Sequence, residues 1–336
     1  MKIAAMGIGK YGMSMLEHLC YDGRISRRIA LDQDKGELEL ANANIKIKIA
    51  KRLSPIDAVS RVERKIQCSC KDIDLLLMII NPADMANPDI LPEIYECIDR
   101  IGVVVVGVVI EPCGKFERKR KNAIERAVNY CVNTFATVVI PQKCISRYNK
   151  KFTPEWIEYY TSWYENRKTV QECCAFQTWL SSKFENVNNS SLEMQVGLFN
   201  LERILKGATT KYAYNEEQNI LDILDIPGYI HLASVAASGK SRKEVIKWRA
   251  TYNDILLTNN FAAQGMLLSL TLPEDISKEE ASFICVGIYG YGSETVNFNF
   301  NMNTTETDVV YADIIATGTY QTEEDIYKIF GVTRRK

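Results

Sequence analysis

The sequence predicts an α/β protein. A Rossmann-like domain on a parallel sheet comes first, then a long central helix, then a smaller α+β domain with a mixed sheet. Three observations carry this reading. Short runs that are apolar throughout recur along the first half and alternate with helical patterns, as in a parallel sheet covered on both faces. A glycine-rich turn, Gly7-Ile8-Gly9-Lys10-Tyr11-Gly12, follows the first run directly. In the second half the pattern changes to strict alternation, clearest in Val296-Asn297-Phe298-Asn299-Phe300-Asn301, as in a sheet with one wet face.

The buried strands of the first half are predicted at 3–6, 29–31, 75–80, 103–110 and 137–140, with helices at 14–19, 89–100 and 118–133. Residues 151–170 differ: Trp156, Tyr159, Tyr160, Trp163 and Tyr164 fall on one helical stripe. Such a stripe packs on its own domain or is kept for a protein partner, with Trp156, Tyr160 and Trp163 at its centre. An amphipathic helix is expected over 192–206, closed by Gly207. After residue 219 come another helix, a charged helix over 240–249, and strands at 266–272, 283–289, 296–301 and 309–316. The division is therefore 1–190 for a nucleotide-binding-type domain with an insertion at 151–170, 191–218 for the central helix and an acidic loop, and 219–336 for the C-terminal domain.

Composition sets limits on function. The 336 residues include 41 Lys and Arg against 42 Asp and Glu, with 46% hydrophobic and 25% charged residues. That is an ordinary globular balance, long enough for about two domains. A net charge of −1 gives no overall pull toward nucleic acid or an anionic membrane. The basic run Lys115, Arg118, Lys119, Arg120, Lys121 reads as a solvated helix face, because only Phe116 accompanies it for stacking. The longest apolar runs fall far short of the roughly 20 residues of a membrane span. The chain opens directly into a strand, with no signal peptide, so a cytoplasmic protein is expected. Its ten cysteines lie mostly inside apolar runs without metal-ligand spacing, and only His18 and His231 accompany them. Reduced, buried thiols and no metal site follow.

The glycine turn is the strongest local motif. Glycines let a backbone approach phosphate oxygens, and a helix N-terminus supplies free N–H groups and the positive end of a dipole. Asp32 follows Gly12 by 20 residues, where a dinucleotide site holds its ribose-binding acid. Taken alone, this pattern describes an NAD-dependent oxidoreductase, although no acid–base pair accompanies it.

A wider comparison identifies a second pattern. Residues 2–19, with Gly7, Gly9, Gly12 and the Glu17-His18 pair, resemble the first strand and phosphate loop of the bacterial cell-division protein FtsZ and its tubulin relatives. Later segments agree in order: 102–112 resembles the family's central strand, 116–121 its ribose-contacting helix start, and Val138-Val139-Ile140-Pro141 the next strand end. Gly228-Tyr229, Ala236-Ala237-Ser238-Gly239 and Ala316-Thr317-Gly318 resemble its second domain. The resemblance implies GTP or GDP as ligand, with Mg2+ only alongside a nucleotide. It implies Gly7, Gly9, Lys10, Tyr11, Gly12, Ser14, Asp32, Asp34, Glu117 and Lys121 as the binding set. It also implies head-to-tail self-association, in which one copy's acidic loop meets the next copy's nucleotide.

Departures from the family pattern shape the expected activity. Counting from Pro92 and Gly102, the Gly-rich loop that wraps the phosphates reads Ala83-Asp84-Met85-Ala86-Asn87-Pro88-Asp89 here. Asn87 is placed as an N-cap, Pro88 as the first helical residue and Asp89 in the first turn. Asp84 and Asp89 oppose a triphosphate, since two like charges about 4 Å apart cost about 4 kcal/mol at a surface-like dielectric. The two catalytic acids fall on Glu216 and Asn219 by ungapped counting, or on Asp222 and Asp225 if the register slides; Asn cannot act as a base. Residues 46–57 form a shorter phosphate-contacting segment without glycines. The expected function is a cytoskeletal or assembly protein with weakened or lost GTP binding and hydrolysis. An active GTPase filament and the oxidoreductase remain the alternatives.

Overall fold

A computed structural model describes residues 1–20, 22–111, 116–141, 201, 204–210, 217–239, 242, 263–289, 297–306 and 308–319. The first half runs β1 (Ile3–Ile8), α1 (Gly9–His18), β2 (Ile25–Asp32), α2 (Lys35–Leu40), β3 (Ile45–Lys48), α3 (Pro55–Ser60), α4 (Glu63–Cys70) and β4 (Leu75–Ile80). It continues through a 3-10 turn (Pro88–Ile90), α5 (Leu91–Asp99), β5 (Val104–Glu111), α6 (Arg118–Thr134) and β6 (Ala136–Pro141). The second half holds α7 (Glu217–Leu224), β7 (Gly228–Ser238), β8 (Gly265–Pro273), α8 (Lys278–Tyr289), β9 (Asn297–Thr305) and β10 (Val309–Thr319). The ten strands among the described residues form one sheet in the order β3-β2-β1-β4-β5-β6-β7-β10-β8-β9. It is parallel from β3 to β7, and β10 then runs antiparallel to both β7 and β8. The parallel Rossmann-like half and the mixed second half are as the sequence predicts.

The two-residue period of a strand divides each central strand between two cores. Ile3, Ala5, Leu75, Leu77, Val106, Val108 and Ile110 join one buried cluster. Ala4, Met6, Ile8, Leu76, Met78 and Ile80 join the other, under α3 to α6. The first cluster crosses into the second half, where Ile220, Ile223 and Leu224 of α7, Leu267 of β8 and Ile315 of β10 complete it. A third cluster packs Ile284 of α8 on Met266, Leu268, Val310 and Ile314.

Some local expectations are corrected. Residues 283–289 are not a strand but the end of α8. Ser277 Oγ accepts the Glu280 N–H (3.0 Å) and starts a helix whose first turn, Lys278-Glu279-Glu280-Ala281, is made of good helix formers. A short apolar run cannot by itself distinguish the two periods. The central helix is not closed by Gly207, since residues 204–209 are all helical. Residues 46–57 hold the end of β3 and the start of α3, capped by Ser54. β7 was not anticipated as a strand, because the Ala233-Ser234-Val235-Ala236-Ala237-Ser238 stretch shows neither alternation nor β-branched enrichment. Of the cysteines described, Cys70, Cys97 and Cys131 are buried and free, but Cys68 is exposed. The aromatic stripe at 156–164 lies outside the described residues, as does nearly all of 240–249. Among the described residues no helix is long and apolar enough to cross a membrane.

The halves meet where β6 pairs with β7, through Ala136 with Gly228 and Thr137 with Tyr229. Gly228 (φ +125°) and Gly318 (φ +71°) lie back to back beside this seam, and a Cβ on Gly228 would stand 3.0 Å from the Gly318 backbone. Buried Arg242 ties the far end, bonding Glu280 Oε1 (2.9 Å) and Asp308, while Asp308 Oδ2 accepts the Gly239 N–H (3.0 Å).

Two outcomes follow. Gly228→Ala adds backbone strain and a contact with Gly318, and is expected to cost roughly 1–3 kcal/mol in urea unfolding. Burial pushes the His231 imidazole on β7 down to about 4. The unfolded chain therefore binds the proton more tightly, and this contribution to stability is complete above the ordinary histidine pKa. It is lost as pH falls from about 6.5 toward 4, with a slope of up to about 1.4 kcal/mol per pH unit. His231→Gln should flatten that acid limb of the stability–pH curve.

Candidate functional site

The carboxyl ends of β1, β2, β4 and β5 bring the glycine turn, residues 32–37, the 81–90 loop and the start of α6 together, the usual place for a ligand in an open α/β sheet. The glycines divide by role. A Cβ on Gly7 would lie 2.3 Å from the Gly12 carbonyl oxygen, and one on Gly12 would lie 2.3 Å from that of Ile79. Both contacts are with backbone, so Gly7 and Gly12 let α1 seat directly on β1 and β4. Gly9 alone opens toward the loop side. It has φ +73°, and a Cβ there would face Met85 Cγ and Asp84 Cβ at 3.5 and 3.7 Å.

Those two neighbours belong to the 81–90 loop, which lies over the start of α1. No side chain caps α1 from Ile8. The Tyr11 N–H in its first turn donates instead to Asp84 Oδ2 (3.1 Å). A carboxylate from across the sheet thus satisfies one of the orphan donors of this helix and sits at the positive end of its dipole. Partial desolvation pushes the Asp84 carboxyl above its ordinary range despite the Tyr11 N–H and nearby Lys10.

Arg120 holds the loop in that position. From the first turn of α6 its guanidinium donates to the carbonyls of Ala83 (3.1 Å), Met85 and Ala86 (3.2 Å), with Pro82 at 3.5 Å. The Asn87 side chain accepts the Asp89 N–H (3.1 Å) and caps the 3-10 turn begun by Pro88, as expected. Asp89, however, spends its charge on Arg126 Nη2 (2.9 Å).

The other candidates spread around this arrangement. Asp32 accepts the Asp34 N–H (2.6 Å), and desolvation raises its carboxyl above the ordinary range. Asp34 caps α2 through the Gly36 N–H (2.8 Å) and pairs with Lys51 (2.8 Å), which holds its carboxyl low. Lys10 is exposed and lies 3.8 Å from Glu37, while Ser14 Oγ donates to the Lys10 carbonyl (3.0 Å). Glu117 is the exposed N-cap residue of α6, without a side-chain cap bond. Lys121 turns to Glu125 (3.5 Å).

Glu216 lies outside the described residues, and Asn219 falls within α7. Asp222 and Asp225 lie at the opposite end of the sheet from the glycine turn, near the starts of β5 and β7. There desolvation, with Asp99 and Asp222 adding like charge, raises the Asp225 carboxyl. Among the described residues no group of three or more His, Cys, Asp or Glu is placed to hold a metal ion.

Two features of this site are not visible in the sequence: that Asp84 reaches α1, and that Arg120 serves the loop rather than solvent. The only signal for the second is its place in a basic run, where it is indistinguishable from Arg118 and Lys119.

No protein-family model matches the chain, and no curated protein matches its sequence. Solved structures do match. A mutant FtsZ from M. jannaschii superposes at TM-score 0.62 with 18% identity, covering 95% of this chain and 91% of that one. CetZ2 from Haloferax volcanii, in a protofilament bound to GTPγS, gives 0.64 with 11% identity over 98% of both chains. TubZ of type III plasmid segregation gives 0.66 with 8% identity, covering 100% of this chain and 94% of its own. The architecture is thus the one shared by these FtsZ, CetZ2 and TubZ structures. The chain has the FtsZ/tubulin fold.

Arg120→Lys keeps the charge but loses the planar fork that reaches several carbonyls at once. Amide exchange in residues 81–87 is expected to quicken by about tenfold or more in this variant, while exchange in β4 and β5 stays unchanged.

Proposed function

We propose that this chain is a self-assembling protein of the FtsZ/tubulin fold whose nucleotide site has been given over to its own loop, with GTP binding and hydrolysis weakened or lost. One observation carries the reading: the Asp84 carboxylate accepts the Tyr11 N–H at the start of α1, where the fold would set a phosphate. The residues present fit a triphosphate poorly. The 81–90 loop has no glycine, Met85 and Asp84 cover Gly9, and the clamp from Arg120 would have to open before phosphates could approach. Asp32 and Asp34 keep carboxylates where a ribose edge would lie, but Asp34 is engaged with α2 and Lys51.

The arrangement of the two ends supports assembly. The glycine-turn end of the sheet presents the basic start of α6. The opposite end presents Asp99, Asp222 and Asp225, so stacked copies would set these acids against the exposed Arg118 and Lys119 at the start of α6. Such a heterologous contact propagates as a filament. CetZ2 forms a protofilament in its own solved structure.

The test is calorimetric titration of the purified chain with GTP, GDP and NAD, combined with sedimentation in their presence and absence. No heat at millimolar GTP, with pelleting that does not depend on nucleotide, is the expected result. Asp84→Gly should recover GTP affinity by about tenfold or more, since it removes a charge facing the phosphates and frees the helix end. Tight GTP binding with turnover by the unmodified chain would establish an active GTPase instead, and tight NAD binding the oxidoreductase.

A further inference from the structure

We infer that the outer edge of β9 is the docking surface for a second copy of this chain, the two β9 strands pairing antiparallel about a twofold axis at Asn301. The two edges of the sheet differ sharply. β3 is only four residues long, and Lys46 and Lys48 alternate along it, two devices by which proteins protect an edge from pairing. β9 runs nine residues, Asn297–Thr305, with no charge and no proline. Among the described residues no strand lies beyond it. Met302, Asn303 and Thr304 are exposed in succession, so this end of the strand is open on more than one side.

The sequence of the edge selects the occupant. An antiparallel partner centred on Asn301 sets Asn301 opposite itself, Phe300 opposite Met302 and Asn299 opposite Asn303. Phe298 then meets Thr304, and Asn297 meets Thr305. All nine residues pair, and polar stands against polar at every second position. The other positions set aromatic against thioether, a favourable contact, and aromatic against threonine. No register opposes like charges, because the strand carries none. A charged partner would find nothing complementary on it, whereas a second copy finds its own pattern in reverse, as an isologous contact requires. Backbone hydrogen bonds supply the affinity, as in strand addition to any open edge. The pairing closes on itself and uses neither the glycine turn nor the acidic end, so it does not depend on how the chain handles nucleotide.

The experiment is sedimentation velocity of the full chain over a concentration series, alongside Asn301→Lys and Asn301→Cys. At concentrations below those at which the chain pellets, a reversible dimer is expected for the unmodified chain. Asn301→Lys should raise its dissociation constant by about tenfold or more, by opposing two ammonium groups at the axis, with circular dichroism unchanged. Under mild copper-catalysed oxidation, in a background in which the exposed Cys68 is replaced by serine, Asn301→Cys should form a disulfide-linked dimer that the Cys68→Ser parent does not form. A chain that stays monomeric throughout, a dimer indifferent to Asn301→Lys, or failure of Asn301→Cys to cross-link would overturn the proposal.

Discussion

Helix α1 lies against β1 and β4 at a separation that leaves no room for a Cβ on Gly7 or Gly12, and the rest of the carboxyl end of the sheet is arranged around that seating. The close approach fixes where the free N–H groups of α1 emerge. It also leaves Gly9 as the one glycine of the turn that faces the neighbouring loop. Asp84 then meets the Tyr11 N–H, and Arg120 meets the carbonyls that carry Asp84 into place. The GxGxxG spacing is thus retained for a packing reason that holds with or without a ligand. That is why the motif by itself cannot distinguish a phosphate site from a helix seated on a sheet.

The fold was legible because its signals are redundant. The run at 75–80 is apolar at every position, and its six-residue length and its recurrence among like runs mark it as a strand covered on both faces. Five such runs separated by helices leave little choice but a parallel sheet. Legibility failed where the signal rests on one residue type or one short run. The apolar stretch at 283–289 fits either period, and its helical start at Ser277 lies several residues upstream. β7 is built largely of small residues whose strand character comes from pairing with β10, a partner some 80 residues away in sequence. Pairing over that distance leaves no local trace.

The site was only partly legible, for a related reason. Asn87, Pro88 and Asp89 act within a few residues of one another, and their N-cap arrangement is plain from spacing. Asp84 and Tyr11 are 73 residues apart, and Arg120 is 37 residues from Ala83. Both contacts exist only because the sheet places β1, β4 and β5 side by side. A sequence reading sees that Asp84 replaces a glycine and infers repulsion of a phosphate. It does not see that the carboxylate has a donor of its own.

The buried cluster that passes under the β6–β7 seam has a mechanical meaning. Residues of β1, β4 and β5 share it with α7, β8 and β10, and Thr317 Oγ1 fastens β10 to the Ile223 carbonyl of α7 at 2.9 Å. Neither half can be opened without exposing apolar surface that belongs to the other. A load applied to one half is therefore borne by both, and the molecule should resist tension as one cooperative unit rather than as two beads on a string.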